Sequence, residues 1–393
     1  MFTSKECIDI KDNKIIPAYS SDNFKIILNI NDFTIDKTSV KAGSFGFINI
    51  IYNKHNQKYV IKSELIKITE DSLYLPKFIT GDVNNFFKNI LGVEYVTYVI
   101  KDGDLTIMPV NKNYVLRDFM FNGLNVNKGD YIFSNMFIRE FYIMCEVSKF
   151  LTDPNTYCIH FIDVYKMFKV GNLYKIMMEF IHCGTLDMKS DYNLWNDFYS
   201  PQLFLSIFFA IATYQTKEIC HYDLHLDNIF YIILNEKYNP MWRGKRLLDY
   251  EYFEYSIKGV SFYIPRPRFL IKIADWGFGI KYSKPKILYW EMYNYGLKDV
   301  HQYQPIYDIC RVMQFLLLKY KNSFKIIKTG HIMDKILDIL YTDTTDIPDV
   351  PHAVLDDVRD INLNAENLIL DYNLFDEFKN KPPSSKILKI GKI

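Results

Sequence analysis

Residues His221 to Asn228 read HYDLHLDN, and further along the chain Asp275-Trp276-Gly277 sets a second carboxylate on a glycine turn. Asp223 offers a carboxylate to stand beside an acceptor hydroxyl. Asn228 offers an amide that can bind a metal ion, and Asp275 a carboxylate for the same purpose. A base flanked by hard oxygen ligands is the equipment of phosphoryl transfer. Two rival readings of the octapeptide remain. His221, Asp223, His225 and Asp227 alternate, so on a β-strand all four would share one face and present an imidazole and carboxylate set to zinc or iron, as in a metallohydrolase. Alternatively, the segment is a polar loop that merely joins a helix to a strand.

The flanking elements bear on the choice. LFLSIFFAIATY (203–214) predicts a buried helix running into the motif, and Ile229 to Leu234 a short apolar strand leaving it. Upstream, Lys41-Ala42-Gly43-Ser44-Phe45-Gly46-Phe47-Ile48 is a glycine loop between β-type stretches at Ile26 to Ile30 and Phe47 to Tyr52. Glycines without side chains let backbone N–H groups approach phosphates closely, although the same spacing also shapes an ordinary hairpin turn. Sixteen residues after Gly46, Lys62 closes the strand Tyr59-Val60-Ile61-Lys62. Its ammonium needs a carboxylate partner to fix its rotamer. The helical spacing of Phe137 to Glu146 offers two, Glu140 and Glu146.

In this order the parts resemble the eukaryotic-type protein kinase family over roughly residues 25 to 320. The resemblance implies an α+β, bilobal protein-kinase-like fold, with a β-rich N-lobe, a helical C-lobe, and ATP and Mg2+ in the cleft. By motif, Asp223 carries over as catalytic base, Asn228 and Asp275 as metal ligands, and Lys62 as the contact to the α- and β-phosphates. Lys41, Gly43, Ser44, Gly46 and Ile48 become the loop that covers the nucleotide. Glu140 is preferred to Glu146 as the partner of Lys62, because its distance to Asp153-Pro154-Asn155 matches the family's helix-to-strand connection. LYKIMMEFIHCGTL (173–186) looks like the hinge between lobes, with Glu179 and Ile181 at the adenine edge and Met178 behind the ring. Tyr307-Asp308-Ile309 looks like the aspartate that braces the catalytic loop.

The departures are informative. Tyr222 stands where the family has arginine, and has no charge to pair with a phosphate. The expectation is therefore an enzyme active as synthesised, whose segment from Phe278 to Gln304 is held by Tyr289, Trp290, Tyr293 and Tyr295 rather than by modification of Ser283. His225 replaces the usual lysine and could contact the γ-phosphate; histidine there is typical of aminoglycoside and choline phosphotransferases and occurs in haspin-like protein kinases. Trp276 replaces the phenylalanine of D-F-G, and no A-P-E lies between Asp275 and Asp308. The expected function is transfer of the γ-phosphoryl group of ATP to serine or threonine of a protein substrate. The alternatives are a small-molecule phosphotransferase and a pseudokinase scaffold.

At 393 residues, 49% of them hydrophobic, the chain can bury a large core and fits one catalytic unit, an N-lobe over 1–180 and a C-lobe over 181–393. Two insertions enlarge it. One, at about 65–130, contains a hairpin turning at Lys101 to Asp104. The other, at about 235–269, carries Trp242, Arg243, Lys245, Arg246 and the Pro265-Arg266-Pro267-Arg268 turn, and reads as a lid, extra packing or a docking site. Acidic residues from Asp334 to Glu377 and a basic tail from Lys379 to Lys392 read as a solvated helical surface and a frayed end. Net charge +1 and pI ≈ 7.5 give no electrostatic reason to expect nucleic acid as a partner. Cys7, Cys145, Cys158, Cys183, Cys220 and Cys310 lack paired spacing, so free thiols in a reducing compartment are expected. No apolar run is long enough to span a bilayer, so no membrane partner and a cytoplasmic setting are expected. The Ile, Lys, Asn, Tyr and Phe bias suits A/T-rich coding DNA, and with the divergent loops is similar to the serine/threonine kinases of large cytoplasmic DNA viruses such as the iridoviruses. That similarity implies a host cytoplasm or virion location.

Overall fold

Alternating β-branched and aromatic residues build an antiparallel sheet early in the chain, whereas the uniformly apolar stretches later become buried helices. The computed structural model describes side chains at 48–53, 55–64, 137, 139–165, 167, 175–187, 200–236, 240–283, 302–317, 332–342 and 358–393. It describes backbone alone at 2–3, 20–21, 33–35, 41–43, 46–47, 65, 96–101, 104–109, 120–121, 124–125, 131–133, 136, 138, 166, 168–170, 173–174, 287–289 and 318–323. The described chain is α+β, with a β-rich N-terminal region and helices later. It divides into two compact units: Met1–Lys149 with Ile162–Phe180 and Lys284–Glu291, and Phe150–Phe161 with Ile181–Ser283 and Met292–Ile393.

In the first unit, β1 (Phe33–Ile35), β2 (Lys41–Gly43), β3 (Gly46–Asn53) and β4 (Lys58–Leu65) are followed by the hairpin of β5 (Val96–Lys101) and β6 (Asp104–Pro109). Lys101 pairs with Asp104, so the hairpin turns where the polar and glycine residues demand. Helix α1 (Met136–Ser148) precedes β7 (Val164–Val170) and β8 (Leu173–Glu179). The main sheet runs β7-β8-β4-β3-β1, with β2 also on β3, and every pairing is antiparallel. Phe137, Phe141, Ile143, Met144 and Val147 make a fully apolar stripe on α1 and are buried.

The second unit is organised around α2 (Pro201–Gln215), whose residues from Leu203 to Tyr214 are all buried. Ser200 caps its first turn by accepting from Leu203 N, and proline occupies the first helical position, where no donor is lost. Strand β9 (Ile229–Ile233) follows the HYDLHLDN loop. A small hairpin of β10 (Met241–Trp242) and β11 (Lys245–Arg246) comes next, then a longer one of β12 (Tyr252–Ile257) and β13 (Val260–Pro265), which turns at Lys258 and Gly259, both at positive φ. Strand β14 (Phe269–Ile273) pairs with β9. Helices α3 (Ile306–Ser323), α4 (Ile332–Leu340) and α5 (Ala365–Asp371) precede a last strand, β15 (Ile387–Lys392).

That last strand corrects the expectation of a frayed basic tail. β15 lies inside a four-stranded sheet, parallel to β12 on one side and antiparallel to Tyr157–Cys158 on the other. Leu388 and Ile390 are buried at strand spacing while Lys389 between them and Lys392 beyond them are exposed, so the strand packs through its apolar residues and leaves its charges in solvent. The acidic region is likewise no mere solvated surface, because Leu368 and Ile369 of α5 are fully buried. The same strand pairing draws Phe150–Phe161 into the second unit, where Ile159 N–H donates to Ile390 O at 3.1 Å. Behind this sheet a buried polar chain runs from Ile271 O through His160 and the Tyr255 hydroxyl (2.7 Å) to Ser206 of α2 (2.9 Å). Burial lowers the His160 pKa to about 3, so the imidazole is neutral and can accept from Tyr255.

Gly391 is the tightest point. A Cβ there would meet Tyr255 Cδ1 at 2.9 Å and would run into Phe209 Cε1 well inside van der Waals contact. Gly391→Ala therefore overpacks the sheet against α2 and should lower unfolding stability by about 1–3 kcal/mol. Urea denaturation of the two proteins measures this, and an unchanged midpoint would show that β15 does not hold this position in solution.

Candidate functional site

Within the first unit, strand register sets the geometry. Ile48 lies opposite Lys62, Lys62 opposite Ile176, and Val60 opposite Met178, so the side chains of Ile48, Lys62 and Met178 belong to one face of the sheet. Lys62 Nζ reaches both carboxylate oxygens of Glu140 on α1, at 2.9 and 2.8 Å. The pair is well shielded, with 15% of the Lys62 side chain and 2% of the Glu140 side chain exposed. A shielded pair of this kind is costly to break on one side only, because the remaining charge stays buried. Glu146 instead pairs with Lys149 one turn away, so α1 presents one carboxylate to the sheet and keeps the other local. Backbone hairpin pairing joins Gly43 to Gly46 and Lys41 to Ile48, while Ser44 and the side chain of Lys41 lie outside the described residues. Glu179 ends β8, with its N–H on Asp163 O at 2.8 Å and its carboxylate accepting from Asp163 N at 3.1 Å.

Lys62 has a second acidic neighbour that no sequence signal marks. Glu64, two residues along the same strand face, has a pKa raised to about 7 by burial, which outweighs the opposing pull of the Lys62 charge. Nothing in a strand sequence marks such a residue, since burial comes from what packs over it.

Within the second unit the HYDLHLDN segment is a bent loop between α2 and β9, not a strand. Tyr222 has φ +61°, and Leu226–Asn228 forms a 3-10 turn, so the alternation that would gather His221, Asp223, His225 and Asp227 on one face is not realised. Among the described residues no group of three His, Cys, Asp or Glu side chains is arranged to hold a metal ion. Asp308 of α3 holds the loop from below: its Oδ2 accepts from His221 N–H (2.7 Å) and the Tyr214 hydroxyl (2.8 Å), and its Oδ1 from Tyr222 N–H (2.8 Å). His221 Nε2 donates to Ala274 O at 2.9 Å, which leaves Nδ1 to accept from Asp223 N–H at 3.3 Å. Burial raises the Asp308 pKa despite these donors.

Above that brace the loop gathers Asp223, His225 and Asn228. Asn228 Nδ2 donates to Asp223 O at 2.8 Å, which turns its Oδ1 away from that carbonyl. Ala274 N–H donates to Asn228 O at 2.9 Å, extending the β9–β14 pairing so that Asp275 follows directly beside Asn228. Asp275 is exposed and has φ +56°. A left-handed backbone at a non-glycine residue costs about 1–3 kcal/mol and marks a conformation imposed by its surroundings. An amide oxygen and a carboxylate are both hard oxygen donors, the donor type that Mg2+ takes. His225 Nε2 lies 3.5 Å from Asp223 Oδ2 and 3.1 Å from Asn228 Nδ2. Burial disfavours its imidazolium and Arg311 opposes it too, but the hydrogen bond and charge of Asp223, helped by Asp227, win, so its pKa lies above the ordinary histidine value. Once charged, His225 loses its contact as acceptor from Asp227 N–H and gains a charge-assisted bond to Asp223.

Trp276 is buried against His221 (ring centroids 4.5 Å apart) and Tyr214 (5.2 Å), which accounts for its bulk beside the exposed Asp275. Tyr222 is buried too: its hydroxyl bonds Tyr282 and its ring packs on Tyr307 at 5.0 Å. The segment after Asp275 is thus tied to the loop through Tyr282, whereas the side chains of Tyr289, Trp290, Tyr293 and Tyr295 lie outside the described residues. Ser283 Oγ donates to Lys217 O at 2.5 Å. Ile181 is buried, and the stretch after it docks on β9, with Leu186 N–H on Ile229 O and Tyr231 N–H on Gly184 O. Cys145, Cys158, Cys183, Cys220 and Cys310 are free thiols, and Cys7 lies outside the described residues. No helix among the described residues is long and apolar enough to cross a membrane.

Comparison with protein-family models and with curated proteins returns no match.

The Glu64 environment predicts a pH dependence. Its folded pKa of about 7 exceeds the ordinary value of 4.5, so the fold holds the proton more tightly than the unfolded chain does. This contribution is complete below the unfolded value and is lost as pH rises through about 7. Glu64→Gln should therefore raise stability by roughly 1–3 kcal/mol at about pH 8 and change it little at about pH 4. Chemical denaturation at the two pH values is the measurement, and an equal effect at both would mean that Glu64 titrates normally.

Proposed function

We propose that the protein is an ATP-dependent protein kinase of bilobal architecture that transfers the γ-phosphoryl group to serine or threonine hydroxyls. The observation that carries the reading is the braced loop: Asp223, held through His221 and Tyr222 by Asp308, shares a hydrogen bond with Asn228, and Asn228 adjoins Asp275. The Lys62–Glu140 pair supports it independently, because a lysine held by a buried carboxylate is the phosphate grip such an enzyme needs. In this reading Asp223 orients the acceptor hydroxyl and takes its proton as the new oxygen–phosphorus bond forms and the bond to the β-phosphate oxygen breaks. Asn228 and Asp275 hold magnesium, which when bound offsets charge on the phosphate oxygens. His225, charged more readily than a free histidine, donates to the transferring group. Gly43 and Gly46 would cover the phosphates, and Met178, Glu179 and Ile181 would meet the adenine.

A second reading, a small-molecule phosphotransferase, draws on His225 in place of lysine. Purified protein with ATP and magnesium, offered basic proteins, casein-like proteins and aminoglycosides side by side, separates the two. Phosphate on proteins supports the kinase assignment, and phosphate only on the antibiotics replaces it. Incorporation into none of them, together with retained nucleotide binding, would favour a scaffold.

Two variants test the assigned roles. Asp223→Ala should leave ATP binding intact and lower turnover by roughly 10²–10⁴-fold, the usual contribution of a positioned base. Turnover within a few-fold of the parent would remove Asp223 from that role. Asp275→Ala should abolish the magnesium-dependent part of the thermal shift caused by ATP, and a shift of undiminished size would take Asp275 out of the metal site.

A further inference from the structure

The 235–269 insertion contains a feature that phosphoryl transfer leaves unused. The β10–β11 hairpin turns through Arg243 and Gly244, both left-handed, with φ of +50° and +78°. Glycine tolerates this; arginine pays about 1–2 kcal/mol for it. The surroundings hold it there: the Arg243 guanidinium stacks over Tyr157 at 4.0 Å and Trp242 at 5.2 Å, and Nη2 donates to Asp153 O at 2.5 Å. Trp242 is buried and its Nε1 donates to Lys389 O at 3.1 Å, fastening the hairpin to β15. What this anchored hairpin presents to solvent is Met241, 67% exposed, beside its cross-strand partner Arg246, with Lys245 also exposed.

β15 continues the cationic surface. Lys392 pairs in register with Tyr157, the residue under Arg243, and both Lys389 and Lys392 are exposed. The acids close in sequence are largely engaged elsewhere: Glu251 takes Ser384 and Lys386, and Glu254 takes Ser261, with Lys389 at 3.8 Å. Asp249 is exposed on the turn that follows the hairpin. Lys245, Arg246 and Lys392 form no ion pair among the described residues. In a chain whose net charge is only +1, these exposed cations on an anchored hairpin and the strand it is fastened to, Lys245 with its Nζ 5.9 Å from the Tyr250 ring centroid, are a local concentration of charge.

We propose that the exposed side chains of this hairpin, Met241 and Arg246 on one face and Lys245 at its edge, with Lys392 of β15, form a docking surface for an acidic segment of a protein partner that also carries an apolar residue to meet Met241. Charge complementarity defines the acidic part, and the exposed Met241–Arg246 pair defines the protein part, since methionine and arginine are the residue types enriched at protein interfaces. A single-stranded nucleic acid fits less well, because its bases need open aromatic faces, and here Trp242 and Tyr157 are buried with Arg243 stacked over them. An anionic membrane fits less well because Met241 is the single apolar side chain that the hairpin exposes.

The experiment uses the full chain without nucleotide, so that it reads docking whether or not the kinase assignment holds. Fluorescence anisotropy follows binding of a labelled glutamate-rich peptide containing one leucine, against the same peptide with glutamine for glutamate, a single-stranded oligonucleotide, and phosphatidylserine vesicles. The glutamate peptide should bind, weaken with added salt, and lose about tenfold or more in affinity with Lys245→Glu plus Arg246→Glu, that is, about 1.4 kcal/mol or more. Met241→Ala should cost a few-fold at unchanged salt dependence. Both sites are exposed, so urea midpoints should stay at the parent value; if the charge reversal does not fold, Lys245→Gln plus Arg246→Gln is read the same way with a smaller loss. Equal binding of the two peptides, an unchanged affinity in the charge variants, or binding of oligonucleotide or vesicles without the peptide would each overturn the proposal.

Discussion

One buried carboxylate sets the conformation of the HYDLHLDN loop, around which the second unit gathers its polar side chains. Asp308 has almost no contact with solvent, and its oxygens are occupied by two successive backbone N–H groups and a tyrosine hydroxyl. Those two amides belong to His221 and Tyr222, and Tyr222 sits in the left-handed region that only an imposed constraint makes favourable for a bulky residue. With the backbone bent there, Asp223 leaves the loop at a fixed angle, and Asn228 closes the turn by returning a hydrogen bond to its carbonyl. Removing the carboxylate would leave buried donors without acceptors, a larger penalty than the loss of the bonds themselves.

Aromatic residues around this brace join the loop to the segment after Asp275. Tyr222, Tyr282 and Tyr307 are all buried and touch in sequence, hydroxyl to hydroxyl and ring to ring. Burial raises the pKa of each well above the ordinary tyrosine value, so each remains neutral. A neutral contact of this kind needs no modification to form. It fastens the start of the segment after Asp275 to the loop through packing and one hydroxyl bond.

The stretches at about 65–130 and 235–269 fold in different ways. Among the described residues the first contains the antiparallel hairpin of β5 and β6. In the second, the β12–β13 hairpin completes a sheet only when β15 slots between it and Tyr157–Cys158, so a strand from the end of the described chain stabilises a loop that follows α1. Gly391 permits the close approach to Phe209 and Tyr255 that this requires.

Local signals were enough to find the β3–β4 strand pair around Lys62, the buried helix before the loop, the strand after it and the hairpin at Lys101 to Asp104, because apolar period and turn chemistry act over a few residues. Helical spacing on its own left Glu140 and Glu146 both open as partner of Lys62; the family resemblance favoured Glu140, and the structure places its carboxylate 2.8 Å from Lys62 Nζ. What only the tertiary structure decided is everything that depends on distant chain: that Glu64 is buried beside Lys62, that Arg243 is clamped by Tyr157 and Asp153, and that the basic tail is an interior strand. A six-residue stretch such as ILKIGK has too few residues to declare its period, and its partners lie far away in sequence. Burial, strand register and pKa are properties of the neighbours a residue acquires on folding, and those neighbours are not written next to it in the chain.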